Sequence, residues 1–178
     1  MTWNWIFISV VAVAVVGVYL SWTAGRLDRL HARLDAARAV LDAQLFRRSG
    51  VALEVATSGM LDPATSLLVA DAARRARAAS EADREVAESN LSKALAAAFP
   101  DLETSRELAD DPGAEELLAE LGAACRRVEM ARRFHNDTVA TARALHRRWL
   151  VRVFRLAGHA PMPETVEMDV TPPTGLLP

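Results

Sequence analysis

The sequence has one cysteine, one tyrosine and one lysine in 178 residues, and its eight glycines are scattered singly. The lone Cys125 excludes an internal disulfide and a cysteine-based metal site, and we interpret it as a small apolar residue of a helix. Scattered glycines exclude a glycine-rich phosphate loop. Alanine, leucine, arginine and glutamate dominate instead, a composition that strongly favours helix. We therefore expect an all-α fold.

Histidine is also scarce, and the four histidines form no recognisable site. They do not form a His-Glu-x-x-His motif, and their spacings are not those of metal ligands on one helix. No serine or threonine has a partnered base visible in the sequence. We therefore predict no catalytic residue, no metal ligand, no cofactor and no small-molecule substrate, and we expect a protein that is not an enzyme. The histidines are His31, His135, His146 and His159.

Charge is absent from residues 3–22, which contain no Asp, Glu, Lys or Arg. A helix of this length spans the roughly 30 Å hydrocarbon core of a bilayer at about 1.5 Å per residue. A cleaved signal peptide and a buried core helix are the alternatives, but no Lys or Arg precedes the apolar run and no good cleavage site follows it. We predict a membrane anchor over residues 1–24. Its aromatic ends, suited to the headgroup level, are Trp3, Trp5, Tyr19 and Trp22.

Positive charge follows the anchor on one side only. Arg26, Arg29, Arg33 and Arg38 lie within the window that the positive-inside rule counts, whereas no Lys or Arg precedes the span. The rule predicts a single-pass protein of the cell (inner, cytoplasmic) membrane. The N-terminus would lie outside and the remainder of the chain in the cytoplasm.

Three long helices are predicted after the anchor, over residues 23–58, 63–98 and 113–156, with room for a short helix at 101–110. Leucines and alanines recur in them at three- and four-residue spacings, and Gly59, Asp62-Pro63 and Phe99-Pro100 are typical of helix ends. Short connections favour antiparallel neighbours, so we expect an antiparallel bundle over residues 25–157. In that arrangement the third helix ends far from the membrane. The Pro-rich acidic tail, 158–178, is expected to be extended or disordered.

Two groups of polar residues lie on the predicted helices. Asn90, His135 and Asn136 lie in apolar contexts, where we expect them to set helix register. A basic cluster on the third helix has two interpretations, pairing with the acidic second helix or docking of a protein. Lipid contact is disfavoured by the distal position, and nucleic acid by a pI near 6.1. The cluster comprises Arg143, Arg147, Arg148, Trp149, Arg152 and Arg155.

Four segments in this order resemble the LemA family of bacterial membrane proteins. His135 departs from the family pattern, which typically has Tyr there, and the family's second Tyr-Asn pair is absent. The resemblance implies a single-span anchor, an antiparallel helical domain and no established catalytic activity. The segments are Asp42-Ala-Gln-Leu45-Phe-Arg47-Arg48, Glu85-Val-Ala-Glu-Ser-Asn90-Leu91-Ser92, Phe99-Pro100-Asp101-Leu102 and Ala131-Arg132-Arg133-Phe134-His135-Asn136.

These observations lead to two functional hypotheses. The first is a membrane-anchored scaffold or protein-interaction module that self-associates along the membrane as a homo-oligomer. The second is a regulatory or sensor subunit of an envelope-stress or signalling complex, docked through the basic third helix. The sequence does not identify the protein partner.

Overall fold

The computed structural model describes residues 2–110, 113–147 and 162–177. Within these ranges all regular structure is helical, as the composition predicted. The elements are α1 (Thr2–Thr57), α2 (Pro63–Ala78), α3 (Arg84–Ala98), α4 (Leu102–Ala109), α5 (Ala114–His146) and a short 3-10 helix (Thr174–Leu176).

Helix ends are confirmed where the sequence carries capping residues. α1 ends at Thr57, and Gly59 takes a left-handed φ of 89°. Asp62 caps α2 by accepting hydrogen bonds from the main-chain N–H groups of Ala64 and Thr65, at 3.0 and 3.1 Å. Asp111-Pro112, which repeats the Asp-Pro pair of residues 62 and 63 in sequence, lies outside the described residues.

The predicted helix 63–98 is wrong, because it is broken between α2 and α3. Ala79 is extended, with φ −62° and ψ 136°. The Ser80 hydroxyl lies 2.6 Å from Asp83 Oδ2, and the Asp83 N–H donates to Ser80 Oγ at 3.3 Å. This Ser-x-x-Asp pairing resembles a capping box, which is a signal for the start of a new helix. The sequence prediction missed it because the alanines on both sides favour a continuous helix.

The chain forms two compact units. The first unit comprises Met1–Ala36 and Asn136–Thr165, and the second comprises Ala37–His135 and Val166–Pro178. Each unit therefore combines segments that are distant in sequence.

The first unit contains the apolar half of α1. Within its described part, the rings of His31 and His146 are 5.6 Å apart at an interplanar angle of 82°. Arg143 Nε donates to the main-chain oxygen of Pro163 at 2.7 Å. Contacts of this unit thus join the beginning of the chain to the end of α5.

The second unit has an aliphatic core built from four helices and the tail. Its larger cluster includes Val55, Val69, Leu91 and Leu95, all fully buried. The leucines and alanines that recur at three- and four-residue spacings in α1 were predicted to face the core. This is confirmed for Ala37, Leu41 and Leu45, which are buried. A smaller cluster comprises Leu41, Leu45, Val128, Ala131, Met168 and Val170.

Disorder of the tail is a wrong expectation for residues 166–177. Met168, Val170 and Leu176 are buried in the second unit, and Pro172 and Pro173 are buried beside them. The segment has no regular secondary structure before the 3-10 helix, and the alternation of exposed Glu167 and Asp169 with buried Met168 and Val170 fits an extended chain. Composition suggested disorder because the segment is short and proline-rich, yet its apolar residues bury against helices that lie far away in sequence.

Candidate functional site: the groove that holds the tail

A buried arginine lies at the centre of the second unit. Arg48 is 1% exposed and Glu88 is 2% exposed. Arg48 Nη2 lies 2.6 Å from Glu88 Oε2, and Arg48 Nη1 donates to Ser92 Oγ at 2.9 Å. Burial raises the pKa of the Glu88 carboxyl, and the Arg48 charge opposes that rise. The pair joins α1 to α3.

One face of α3 binds the main chain of the tail. Glu85 Oε1 accepts from the N–H of Glu167 at 3.2 Å, and Ser89 Oγ accepts from the N–H of Asp169 at 3.0 Å. Ser92 Oγ lies 2.7 Å from the Asp169 carbonyl oxygen, to which it donates. Ser92 thereby connects the tail to the buried ion pair.

The spacing of these contacts follows from the two backbone geometries. Glu85 and Ser89 are four residues apart on a helix, a rise of about 6.0 Å. Residues 167 and 169 are two apart in an extended chain, a rise of about 6.6 Å. Because these two distances are similar, side chains on successive turns of the helix can each accept a hydrogen bond from every second main-chain N–H of the tail.

The other face of the tail supplies apolar side chains to the core. Side chains alternate in an extended chain, so Met168 and Val170 point opposite to Glu167 and Asp169. Met168 and Val170 lie in the smaller core cluster, against Leu41, Val128 and their neighbours. We call the surface that holds residues 167–170 the groove. One side of it consists of Glu85, Ser89 and Ser92, which bind the main chain of the tail, and the other side buries Met168 and Val170.

Two glycines permit the close approach of the tail's far end. The N–H of Gly175 donates to the Phe99 carbonyl at 3.2 Å, and a Cβ at Gly175 would lie 2.4 Å from the carbonyl oxygen of Asp101. On α5, a Cβ at Gly122 would lie 2.7 Å from the carbonyl oxygen of Leu176. Arg126 Nη1 donates to that same oxygen at 3.0 Å. Larger residues at either glycine would push the chains apart.

A cavity of about 360 Å³ lies beside the last residues of the tail. Leu102, Leu118, Leu176 and Leu177 contribute its apolar wall. Ser105 also lines it, and the buried Ser105 hydroxyl has no hydrogen-bond partner among the described residues. Space therefore remains where the tail leaves the groove.

The polar residues predicted to set register have different surroundings. Asn90 is exposed, so it does not set helix register within the second unit. It lies between Ser89 and Ser92, which face the tail, and helical periodicity turns it away from them. His135 is buried at 4% exposure, and Asn136 is half-buried. The spacing Glu85, Ser89, Ser92 was the informative signal in this segment.

The predicted basic cluster is described only in part. Arg143 bonds to Pro163, as given above, and Arg147 is exposed. Arg148, Trp149, Arg152 and Arg155 lie outside the described residues. Among the described ion pairs, none joins an arginine of α5 to an acid of α2 or α3, so the expected pairing of these helices is not found. Glu81, in the turn between α2 and α3, pairs with Arg38 of α1, and Glu88 of α3 pairs with Arg48 of α1.

The distal placement of the end of α5 is also wrong. His146, the last residue of α5, lies against His31 of α1. His31 is nine residues beyond Trp22, or about 13 Å along a helix.

No family model, curated protein or solved structure matches the chain. The LemA resemblance therefore stays a prediction based on the four sequence segments.

Proposed function

We propose that this chain is a non-enzymatic, membrane-anchored scaffold whose second unit binds extended peptide segments. The supporting observation is the row formed by Glu85, Ser89 and Ser92, which meets the main chain of residues 167 and 169. Main-chain hydrogen bonds supply affinity that does not depend on sequence, and alternate side-chain pockets supply specificity. Such a groove is suited to hold a segment of another chain as well as the tail.

The anchor in this proposal is the apolar part of α1. One helix contains a stretch long and apolar enough to cross a membrane, and only 6% of that stretch is buried. A core helix of a water-soluble protein would be mostly buried, so exposure of Val13, Val15 and Val18 favours a lipid environment. The arginines that follow the span favour an N-terminus outside and a cytoplasmic second unit.

The bundle in this proposal is only partly antiparallel. In the second unit, the ion pairs between α1 and α3 advance in the same direction along both helices. Asp42 pairs with Arg84, and further along both helices Arg48 pairs with Glu88. The α1–α5 contacts run oppositely, from Arg47–Glu120 to Leu41 with Val128. We infer that α3 runs parallel to α1 and α5 antiparallel to it. The tail groove then lies where α3 and α5 flank α1.

Self-association follows if the tail of one copy enters the groove of another. Every copy carries both the groove and residues 166–177, so exchange needs no new interface. Copies held in one membrane also meet at high effective concentration. The scaffold would therefore form homo-oligomers by mutual tail exchange.

Peptide binding to the full chain in nanodiscs tests the proposal. A fluorescent peptide of residues 164–178 is titrated against the parent chain and against Gly175→Val, whose own tail should leave the groove. We expect Gly175→Val to bind the peptide more tightly than the parent. A peptide with the same Gly-to-Val change serves as the matched control and should bind to neither.

Two results would count against this function. Absence of peptide binding to Gly175→Val, with helical content retained by circular dichroism, would mean that the groove serves only its own tail. Crosslinking in native membranes that yields one reproducible foreign partner and no self-crosslinks would favour the regulatory-subunit hypothesis instead.

A further inference from the structure

Charge is divided unequally between the two units. The first unit contains eight arginines against four acidic residues, a net charge of +4. The second unit contains 13 basic against 19 acidic residues, a net charge of −6. The positive charge of this nearly neutral chain is therefore concentrated in the unit that contains the apolar span.

The described arginines of the first unit have no acidic partners. All ion pairs found among the described residues involve second-unit arginines, of which Arg38, Arg48 and Arg84 are examples. In the first unit, Arg26 lies over the Trp22 ring at 5.8 Å, and Arg143 donates to a main-chain oxygen. Within the part of the chain that the structure describes, these guanidinium groups keep their charge uncompensated.

The contact between His31 and His146 brings the arginines of two helices to one level. Arg143 and Arg147 lie within one turn of His146, and Arg29 and Arg33 lie within one turn of His31. The His31 level is about 13 Å along the helix from Trp22, the aromatic end of the predicted span. This distance exceeds the Debye length of about 8 Å at physiological salt, so these arginines reach headgroups by extending their long side chains towards the span.

We propose that the end of α5 and the flank of the span together form a binding surface for anionic lipid headgroups. The surface, here called the arginine collar, consists of Arg26, Arg29, Arg33, Arg143 and Arg147. This proposal rests on the membrane anchoring of α1 proposed above. Anionic lipid is favoured over a protein partner because the arginines surround the predicted exit of the span, where headgroups are the nearest acidic groups.

The collar explains two features of the sequence. Arg26, Arg29 and Arg33 alone would satisfy the positive-inside rule, yet α5 delivers further arginines to the same level. The sequence after Arg147 continues with Arg148, Arg152 and Arg155, together with Trp149. Guanidinium groups bind phosphate oxygens in a bidentate manner, which suits arginine over lysine for phospholipid headgroups.

Lipid selectivity of the full chain tests the collar. The chain is reconstituted in phosphatidylcholine vesicles with 30% phosphatidylglycerol, and spin-labelled lipids of each type report the motionally restricted fraction at the protein. We expect selectivity for phosphatidylglycerol that falls by up to about 25-fold in Arg143→Gln/Arg147→Gln, since each arginine near an anionic surface contributes roughly a factor of five. Arg143→Lys/Arg147→Lys should retain only part of it, because lysine keeps the charge and loses the bidentate contact, and 1 M NaCl should abolish it.

Arg106→Gln/Arg127→Gln is the matched control, because both side chains are exposed and belong to the second unit. Parent-like selectivity in Arg143→Gln/Arg147→Gln would overturn the collar, as would an equal loss in the control. Crosslinking of Arg147→Cys to a protein, with no lipid selectivity in the parent, would overturn it in favour of protein docking. Extraction of the chain from membranes by alkaline carbonate would instead show that the proposed anchoring has failed.

Discussion

Residues 3–22 and residues 37–57 belong to the same helix, yet their burial is opposite. In the first stretch Trp5, Val13 and Val18 are more than two-thirds exposed, although nothing in it is charged. In the second stretch Arg48 is 1% exposed, although it carries a full charge. The burial of a stretch therefore depends on how its apolar residues are spaced and on whether its polar groups are paired. It does not depend on the fraction of apolar residues in the stretch. A continuous apolar run suits lipid, and a periodic one with paired polar groups suits a protein core.

Removing Arg48, in the second stretch, should lower the free energy of unfolding more than any other change predicted here. Arg48→Met leaves Glu88 buried without a partner, which costs about 3–5 kcal/mol of the free energy of unfolding. Urea unfolding of the full chain in detergent, followed by circular dichroism, measures the change. The control is Arg47→Met, whose side chain is 54% exposed in its pair with Glu120, and the expected loss is below about 1 kcal/mol.

The double variant Arg48→Met/Glu88→Met sharpens this test. Replacing a buried ion pair by apolar side chains of similar volume is often neutral, so most of the lost stability should return. Equal losses in the Arg47 and Arg48 single variants would contradict the buried pair.

Truncating one buried leucine compares the two stretches directly. Leu41→Ala removes a buried side chain of residues 37–57 from the smaller core cluster and should cost about 2–5 kcal/mol. Val13→Ala removes an exposed side chain from the predicted span and should leave the urea midpoint of the second unit unchanged. A shifted midpoint in Val13→Ala would mean that residues 3–22 contribute to a protein core.

Displacing the tail should have an intermediate effect. Gly175→Val places a side chain against the Asp101 and Phe99 carbonyl oxygens, and such overpacking costs roughly 1–3 kcal/mol. Hydrogen exchange of the Asp169 and Gly175 amides should accelerate, because both donate to the groove. Gly50→Ala is the control, since its Cβ would meet only the tip of Arg77. Unchanged exchange in Gly175→Val would contradict the close packing of the tail.

The smallest effect concerns the pH dependence of the first unit. Burial, together with the nearby His31, lowers the pKa of His146. The unfolded chain therefore binds a proton more readily than the folded one, so stability falls as pH drops below about 6.5, the ordinary histidine pKa. His146→Gln should flatten this dependence in unfolding curves between pH 7 and pH 5. If the free energy of unfolding changed with pH as steeply in His146→Gln as in the parent, another group would be responsible for the pH dependence.

Local features of the fold were predictable because their causes are local. Gly59 and the Asp62-Pro63 pair act within one helix turn, and the buried leucines and alanines of α1 follow from spacing alone. The break at Ala79 was missed because Ser80 and Asp83 compete with strong alanine propensity on both sides. Burial of the tail depends on contacts between residues about 80 apart in sequence, such as Ser89 with Asp169. No local pattern encodes such a contact.

The candidate site was only partly visible for the same reason. Arg48 could be noted in sequence only as one of two adjacent arginines, and only the fold separates buried Arg48 from exposed Arg47. Gly122 had a signal, since an isolated glycine in a predicted helix can have a packing reason. The tail that approaches Gly122 could not be identified without the fold.

The most direct test of the scaffold is whether tails exchange between copies. Spin labels are placed at Asn90→Cys and Thr171→Cys, both exposed, while burial raises the pKa of the Cys125 thiol and keeps it unreactive. Chains labelled only at position 90 are mixed in vesicles with chains labelled only at position 171, and electron–electron double resonance measures the distances. The account predicts the same short distance in this mixture as in doubly labelled chains. A short distance confined to the doubly labelled chains would contradict it.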